Sequence, residues 1–422
     1  MTSERICFVY IVPPGATEFV TAARFKISQY HDDDQPIGEF VYGKSYLARS
    51  DAVELDPIEL KLGTVHYETA RIKGYFGAIR DAMPDYWGRR VIQLYERKSN
   101  LDDFDYLLCG PDDRAGALGF GLNVEPPAPR RQFNRTLDLA RLQEIAEAIL
   151  KEDLGEIENL SDLGQVQELL LEGTSMGGAR PKAVVEAENS LWIAKFSTPQ
   201  DRWNQPRVEH ALLKLATVCG LDVADSKLTS VAGKDVLLVR RFDREKTDRG
   251  YRRHRMISAL TLLKSDDSLT ARENWSYLLL ADEIRRTSAN PKADLQELFK
   301  RMCFNALVSN LDDHPRNHAL LAKEKTWRLS PAYDLTPTPT IAQDARLLAM
   351  TCGAQGRLAN RENLLSACHR FLLSEEEAQV IVDGMVKTVK QEWEGSMRRV
   401  GVSIADCKTI AGSFMYEGFF LN

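Results

Sequence analysis

The sequence has no apolar run of the roughly 18 residues that a membrane-spanning helix needs. Its first residues, Met1-Thr2-Ser3-Glu4-Arg5, lack the charged-then-apolar pattern of a secretory signal. The expectation is a cytoplasmic protein with no membrane partner. There is no CxxC pair. The cysteines Cys7, Cys109, Cys219, Cys303, Cys352, Cys368 and Cys407 are odd in number, scattered and mostly set among apolar neighbours. That excludes a disulfide framework and predicts free, reduced thiols. Positive charge is not in excess either: Lys plus Arg is 55 and Asp plus Glu is 61, a net charge of −6. Direct, extensive DNA binding over a basic surface is excluded, although a local basic patch is not. HExxH is missing, and Pro315 interrupts the pair His314 and His318, so a zinc site is not expected.

What is present suffices for a real core. Hydrophobic residues make up 44% of the 422, close to the globular average, which excludes global disorder. The length predicts two or three domains. Residues 1–125 read as an α+β module with β-like runs such as Ile6–Val12. Residues 126–135 open on Pro126-Pro127-Ala128-Pro129 and read as a linker. Apolar spacing of three and four predicts helices over Leu137–Leu154 and Leu163–Leu171. Period-two patterning then predicts a hairpin over Ala183–Phe196 and a strand over Val236–Phe242, separated by an amphipathic helix closed by Gly220. These place a nucleotide-binding lobe over 136–245. Residues 246–422 read as an all-α lobe, broken only by a hairpin-like stretch around Lys323-Glu324-Lys325.

The sharpest local signal is Ser309-Asn310-Leu311-Asp312-Asp313-His314-Pro315-Arg316-Asn317-His318, a polar loop between apolar runs. Asp312 and Asn317 have the spacing of the kinase catalytic loop, where the Asp accepts a hydroxyl proton and the Asn holds Mg²⁺. Asp334 follows the next hairpin, where a kinase keeps its other metal ligand. Hard oxygen donors in small number suit Mg²⁺. The alternative is an Asp/Asn-rich turn that caps its own backbone. Gly173–Lys182 is neither a Walker A sequence nor GxGxxG, but its glycines allow backbone N–H groups to approach phosphates. A flexible turn is the alternative. Lys195 ends a β-run, either snorkelling to water or facing a cleft as a phosphate ligand, with Glu209 as a candidate partner or a merely solvated acid. Val239-Arg240-Arg241-Phe242-Asp243-Arg244 reads as an interlobe hinge. The basic stretch Arg249–Arg255 reads as a solvated, activation-type loop.

Together, Ser175–Lys182, Trp192–Phe196, Arg241–Arg244, Asn310–His318 and Ser330–Leu335 resemble the HipA-like serine/threonine kinases. The stretches Met83-Pro84-Asp85 and Gly116–Gly119 resemble that family's N-terminal subdomain. The resemblance implies an α+β, two-lobed, protein-kinase-like fold with an N-terminal accessory subdomain, using ATP and Mg²⁺. It implies Asp312 as catalytic base with Asn317, and Asn317 and Asp334 as metal ligands. Nucleotide contacts would come from Ser175, Met176, Gly177, Gly178, Lys182, Lys195, His314, and the hinge residues Arg240 and Phe242. Ser175 matches the family's inhibitory autophosphorylation site. A protein substrate with a Ser or Thr hydroxyl and a HipB-like DNA-binding antitoxin are the implied partners. Two departures stand out: His254–Leu260 replaces an acidic, Cys-Gln-containing motif, and Arg240 stands where an acid is common. The rival readings are a small-molecule kinase and an antitoxin-binding pseudokinase with a scaffold or repressor role.

Overall fold

Strand-forming alternation organises the first module. The computed structural model describes residues 3–29, 35–98, 100–129, 133–135, 138–151, 180–268, 270–339, 342 and 344–421. In it β1 (Ser3–Ile11), β2 (Val20–Gln29), β3 (Ile37–Tyr42), β4 (His66–Thr69) and β5 (Leu118–Gly121) form an antiparallel sheet in the order β4-β3-β2-β1-β5. Phe25 and Phe40 face each other across β2 and β3, and both are fully buried. Helices α1 (Tyr86–Glu96) and α2 (Asp103–Cys109) follow β4, and Phe104 of α2 stacks on Phe25 with centroids 6.5 Å apart. Aromatic pairs of this kind add about 0.5–1.5 kcal/mol beyond simple area burial.

After β6 (Asn134–Arg135), α3 (Leu139–Lys151) answers the first helical pattern and buries Leu139, Leu142, Ile145 and Ile149. The second pattern, Leu163–Leu171, lies outside the described residues. β7 (Lys182–Ala187) and β8 (Ser190–Phe196) make the expected hairpin. Its two-residue turn holds Glu188 and Asn189 at φ +50° and +57°, the geometry that matches strand twist. Helix α4 (Gln205–Val218) is capped by Asn204 and stops before Gly220, whose φ of +79° suits a residue without a side chain. β9 (Ser226–Val231) and β10 (Lys234–Arg240) form a second hairpin.

β11 (Arg244–Thr247) and β12 (Gly250–Arg253) correct one expectation: the basic stretch is a hairpin, not a solvated loop. Arg253, His254 and Arg255 are buried, Arg253 pairs with Asp112 at 3.1 Å and Arg255 with Glu54 at 2.7 Å. Acids far away in sequence neutralise the cluster. β13 (Arg255–Ser258) leads to α5 (Tyr277–Thr287) and α6 (Pro291–Leu307), then β14 (Ala319–Ala322) and β15 (Arg328–Leu329), and finally α7 (Glu375–Arg399) and α8 (Ile404–Ile410). The fold is mixed α+β. The expected all-α character of 246–422 does not hold, because β12 and β13 fall within it, whereas β14 and β15 answer the expected break around Lys323-Glu324-Lys325. All four residues of β14 are buried, and a short apolar run covered on both faces forms strand as readily as helix.

Two compact units result. One comprises Met1–Phe196, Arg240–Ile257 and Leu321–Thr326; the other comprises Ser197–Val239, Ser258–Leu320 and Trp327–Asn422. The seven cysteines are all free, and among the described residues no helix is long and apolar enough to cross a membrane.

Candidate active site

Helix α6 is the post on which the polar loop is mounted. Pro291 at its first turn follows an Asn290 cap, and its apolar face buries Leu295, Leu298, Phe299 and Met302 completely. Its polar residues reach the segments on either side of the loop. Asn305 accepts from the Asn310 amide at 3.1 Å and donates to the Tyr277 hydroxyl at 3.3 Å. That hydroxyl in turn donates to the Asp313 carboxylate, and His318 Nε2 lies 2.7 Å from the same oxygen. Burial, and then the Asp313 charge, push the Tyr277 hydroxyl well above its ordinary pKa, so it remains a donor. Lower on α6, Asp294 receives Arg328 and the Leu329 N–H at 2.9 Å, and Arg301 donates to the Ser330 carbonyl at 2.6 Å. These bonds fix β15 and the start of Ser330–Leu335.

The loop itself opens with Ser309 at φ +50°, held by Arg346 Nη1 at 2.5 Å and by its own bond to the Ser413 carbonyl at 2.7 Å. Within the loop, His314 N–H donates to the Asp312 carbonyl at 2.8 Å, and the buried Asn317 side chain donates to it at 3.4 Å. Asp312, Asn317 and His314 are therefore brought together by local bonding. Asp334 is near enough for its charge to act on Asp312. It holds a left-handed φ of +60°, a conformation that costs a non-glycine residue energy and clusters at functional sites.

Asp312 stands apart from the other acids. Its carboxylate makes no hydrogen bond or ion pair among the described residues. The residue is exposed to solvent, yet partial desolvation of its carboxyl raises its pKa. His314 opposes the rise, Asp334 and Asp313 reinforce it, and Arg272 opposes it. An unengaged, partly desolvated carboxylate suits proton acceptance. Asn317 and Asp334 offer oxygen donors, and among the described residues no three His, Cys, Asp or Glu side chains are grouped to hold a metal. That oxygen donor set fits Mg²⁺ leaning on substrate phosphates.

Of the remaining expected residues, Lys182, Lys195, Arg240 and Phe242 lie in the other unit. Ser175, Met176, Gly177 and Gly178 fall outside the described residues. Lys182 and Lys195 are opposite each other in the β7–β8 register. Like charges there repel, and the structure gives Lys182 a counter-ion: Asp85, the cap of α1, at 2.7 Å with both side chains nearly buried. Trp87 Nε1 donates to the Lys182 carbonyl at 3.1 Å. Arg240 is exposed and Phe242 half-buried. Arg241, between them, donates its N–H to the Leu191 carbonyl at 2.8 Å, so that amide is engaged within the protein. Glu209 is buried, not solvated.

Sequence reasoning missed the Tyr277–Asp313–His318 network, and it missed Arg272 and Trp275. Asp313 sat in the motif but carried no sign of its partners. Helix α5 offered no polar pattern that singled out Tyr277.

The HipA-like C-terminal domain family model matches residues 174–393, more than half of the sequence. The chain belongs to this family. It is 29% identical over 157 residues to the Sinorhizobium fredii protein named "Putative kinase Y4mE", covering 36% of this chain and 37% of that one. It is 28% identical over 199 residues to a Haemophilus influenzae protein named "Putative kinase", covering 42% and 57%. The matches thus span about a third to just over half the length of these curated relatives. Its fold is similar to that of a chain in the Shewanella oneidensis MR-1 complex of HipA, HipB and operator DNA. The TM-score there is 0.63 at 16% identity, with 93% of each chain covered. A HipA-like fold and kinase-like relatives are therefore established for the chain.

Proposed function

We propose that this chain is a two-lobed, ATP·Mg²⁺-dependent serine/threonine protein kinase of the HipA type, acting in the cytoplasm. The observation that carries the reading is Asp312, an unengaged acid bonded through its backbone to Asn317 and flanked by Asp334. Asp312 accepts the proton of the acceptor hydroxyl, which makes its oxygen the nucleophile. Asn317 and Asp334 would hold Mg²⁺, which would supply charge neutralisation at the nucleotide phosphates. Lys195 and the Ser175–Gly178 loop hold those phosphates, His314 borders them, and the Arg240–Phe242 segment borders the adenine. The Asp313 network does no chemistry; it keeps the loop rigid, and rigidity is what positional catalysis requires.

Phosphorylation of Ser175 adds a charge of about −1.5 to −2 to a phosphate-binding loop, so autophosphorylation there switches the enzyme off. A HipB-like antitoxin is the proposed partner, supported by the HipB present with the structural relative. Asp312→Asn tests the base. Transfer to self or to protein should fall about 10²- to 10⁴-fold while ATP still binds; unchanged transfer refutes the assignment. Mass spectrometry after incubation with ATP tests Ser175, and an unmodified serine in an active preparation refutes that part.

A further inference from the structure

The segment Lys264–Trp275 is stapled to the catalytic loop at two points. Asp267 receives Arg316 in a fork, with Nε to Oδ1 at 3.0 Å and Nη2 to Oδ2 at 2.5 Å. The buried Trp275 ring meets His314 edge-on, with centroids 6.3 Å apart. Trp275 is itself pinned, its Nε1 donating to the Asp266 carbonyl at 3.2 Å and its N–H to the Arg272 carbonyl at 3.1 Å. Ser268 caps the same turn, accepting from Ala271 N–H at 3.2 Å. The segment is thus a fixed scaffold beside the loop that carries Asp312.

Between the two staples stands Arg272. Its guanidinium carbon lies 5.3 Å from the centre of the Trp275 ring. A guanidinium held at an aromatic ring is oriented and keeps its in-plane N–H donors for bidentate contacts. Arg272 is exposed, and no acid or carbonyl among the described residues accepts from its side chain. Its neighbours in charge do not quench it: Asp267 is taken by Arg316, and Glu273 forms no ion pair with it. Its positive charge is nevertheless felt at the Asp312 carboxylate.

Resting on the kinase reading above, we propose that Arg272 selects the acceptor. It binds an acidic side chain of the substrate polypeptide, placed close in sequence to the Ser or Thr whose hydroxyl meets Asp312. The preferred substrate class is therefore a Ser/Thr site with an acidic flank. The loop's fixed position makes the contact a register mark: binding the acid at Arg272 sets the hydroxyl at the base. The predicted effect is on acceptor KM and kcat/KM more than on ATP binding.

The test uses the full-length protein with ATP·Mg²⁺ and Ser/Thr peptide libraries bearing Glu, Gln or Lys on either side of the acceptor. The wild type should favour Glu over Lys by about 10- to 100-fold in kcat/KM, the range of a charge-assisted hydrogen-bonded pair. Arg272→Glu should invert the order, Arg272→Lys should keep it in weakened form, and Trp275→Leu should flatten it by loosening the guanidinium. Autophosphorylation serves as the independent readout. Wild-type transfer with no charge preference, or Arg272→Glu with the order unchanged, overturns the inference and leaves the kinase reading standing. So does autophosphorylation without transfer to any library peptide. A uniform loss on all peptides with a raised ATP KM also overturns it, because Arg272 would then serve the nucleotide. No transfer to self or peptide by the wild type refutes the kinase reading itself, and the inference falls with it.

Discussion

Replacing Asp243 with Asn should strongly destabilise the unit that contains it. Asp243 accepts four hydrogen bonds: Arg241 Nε at 3.0 Å, Arg241 Nη2 at 2.8 Å, Arg244 Nη1 at 2.8 Å and the Gly116 N–H at 2.9 Å. Arg241 also reaches Asp113 at 2.6 Å, and Arg244 reaches it at 3.3 Å. The side chains of Arg241 and Asp113 are 0% exposed and that of Asp243 is 5% exposed. Two cations and two anions therefore balance in a dry site. Gly116 belongs to it because its φ is +77° and a side chain there would press on the Met256 backbone at 3.2 Å.

Asn at 243 keeps the shape and removes one charge. The cluster becomes net +1, and an amide N–H₂ must face either the Arg241 Nε–H or the three donors around the other oxygen. Breaking a buried pair from one side costs about 3–5 kcal/mol, against the roughly 5–15 kcal/mol that holds a domain together. For a unit of this size that is a drop on the order of 10 °C in Tm. Denaturant unfolding followed by tryptophan fluorescence reads it. The paired charges hold Asp243 below its usual carboxylate range although burial acts the other way. Its stabilisation is thus present above the unfolded pKa of about 3.9 and is lost as pH falls below it, so the gap between wild type and variant should narrow below about pH 4. Arg241→Met with Asp243→Leu restores neutrality and should cost less than the two single changes added together. A pH 7 loss under about 1 kcal/mol for Asp243→Asn would refute the view of this cluster as a stabilising clamp.

Asp56 behaves in the opposite sense. It is fully buried, burial pushes its carboxyl up to about 6, and its Oδ1 already accepts the Ile58 and Glu59 N–H groups at 2.6 and 2.7 Å. The native state holds its proton longer than the unfolded state. Its ionisation should therefore cost about 2–3 kcal/mol as pH rises from 4 to 7, and Asp56→Asn should gain on the wild type over that interval in pH-dependent unfolding. An unchanged gap between pH 4 and 7 would refute this. Lys182→Met separates its two readings: loss of the Asp85 partner should lower stability by about 3 kcal/mol with ATP affinity changed less than about threefold. A large rise in the ATP Kd at unchanged Tm would instead return Lys182 to the phosphate site.

The difference between what was legible and what was not follows from the range of the interactions. Asp312, Asn317 and Asp334 could be found because kinase-type chemistry fixes their spacing over a few residues and one hairpin, and α6 and β14 announce themselves by apolar pattern. The hinge reading of Arg241–Arg244 rested on charges at a strand end, where solvent is the ordinary partner. Their actual partner Asp113 is 128 positions from Arg241, and no local pattern encodes that pairing. The same holds for Lys182 with Asp85 and for Arg253 and Arg255 with acids of the N-terminal module. Glu209 shows the converse error, since an acid on an apolar helix reads as solvated until the opposing face is known. A charged motif therefore has two physical explanations, a ligand or a distant counter-charge, and only the fold distinguishes them. In the Arg241 cluster every cation is answered by an acid, so the motif is explained without a ligand. Arg272 has the weaker sequence signal and the stronger physical claim. The fold orients it at the Trp275 ring, its charge reaches Asp312, and no acid among the described residues forms an ion pair with it, which leaves its donors open to the acidic side chain proposed above.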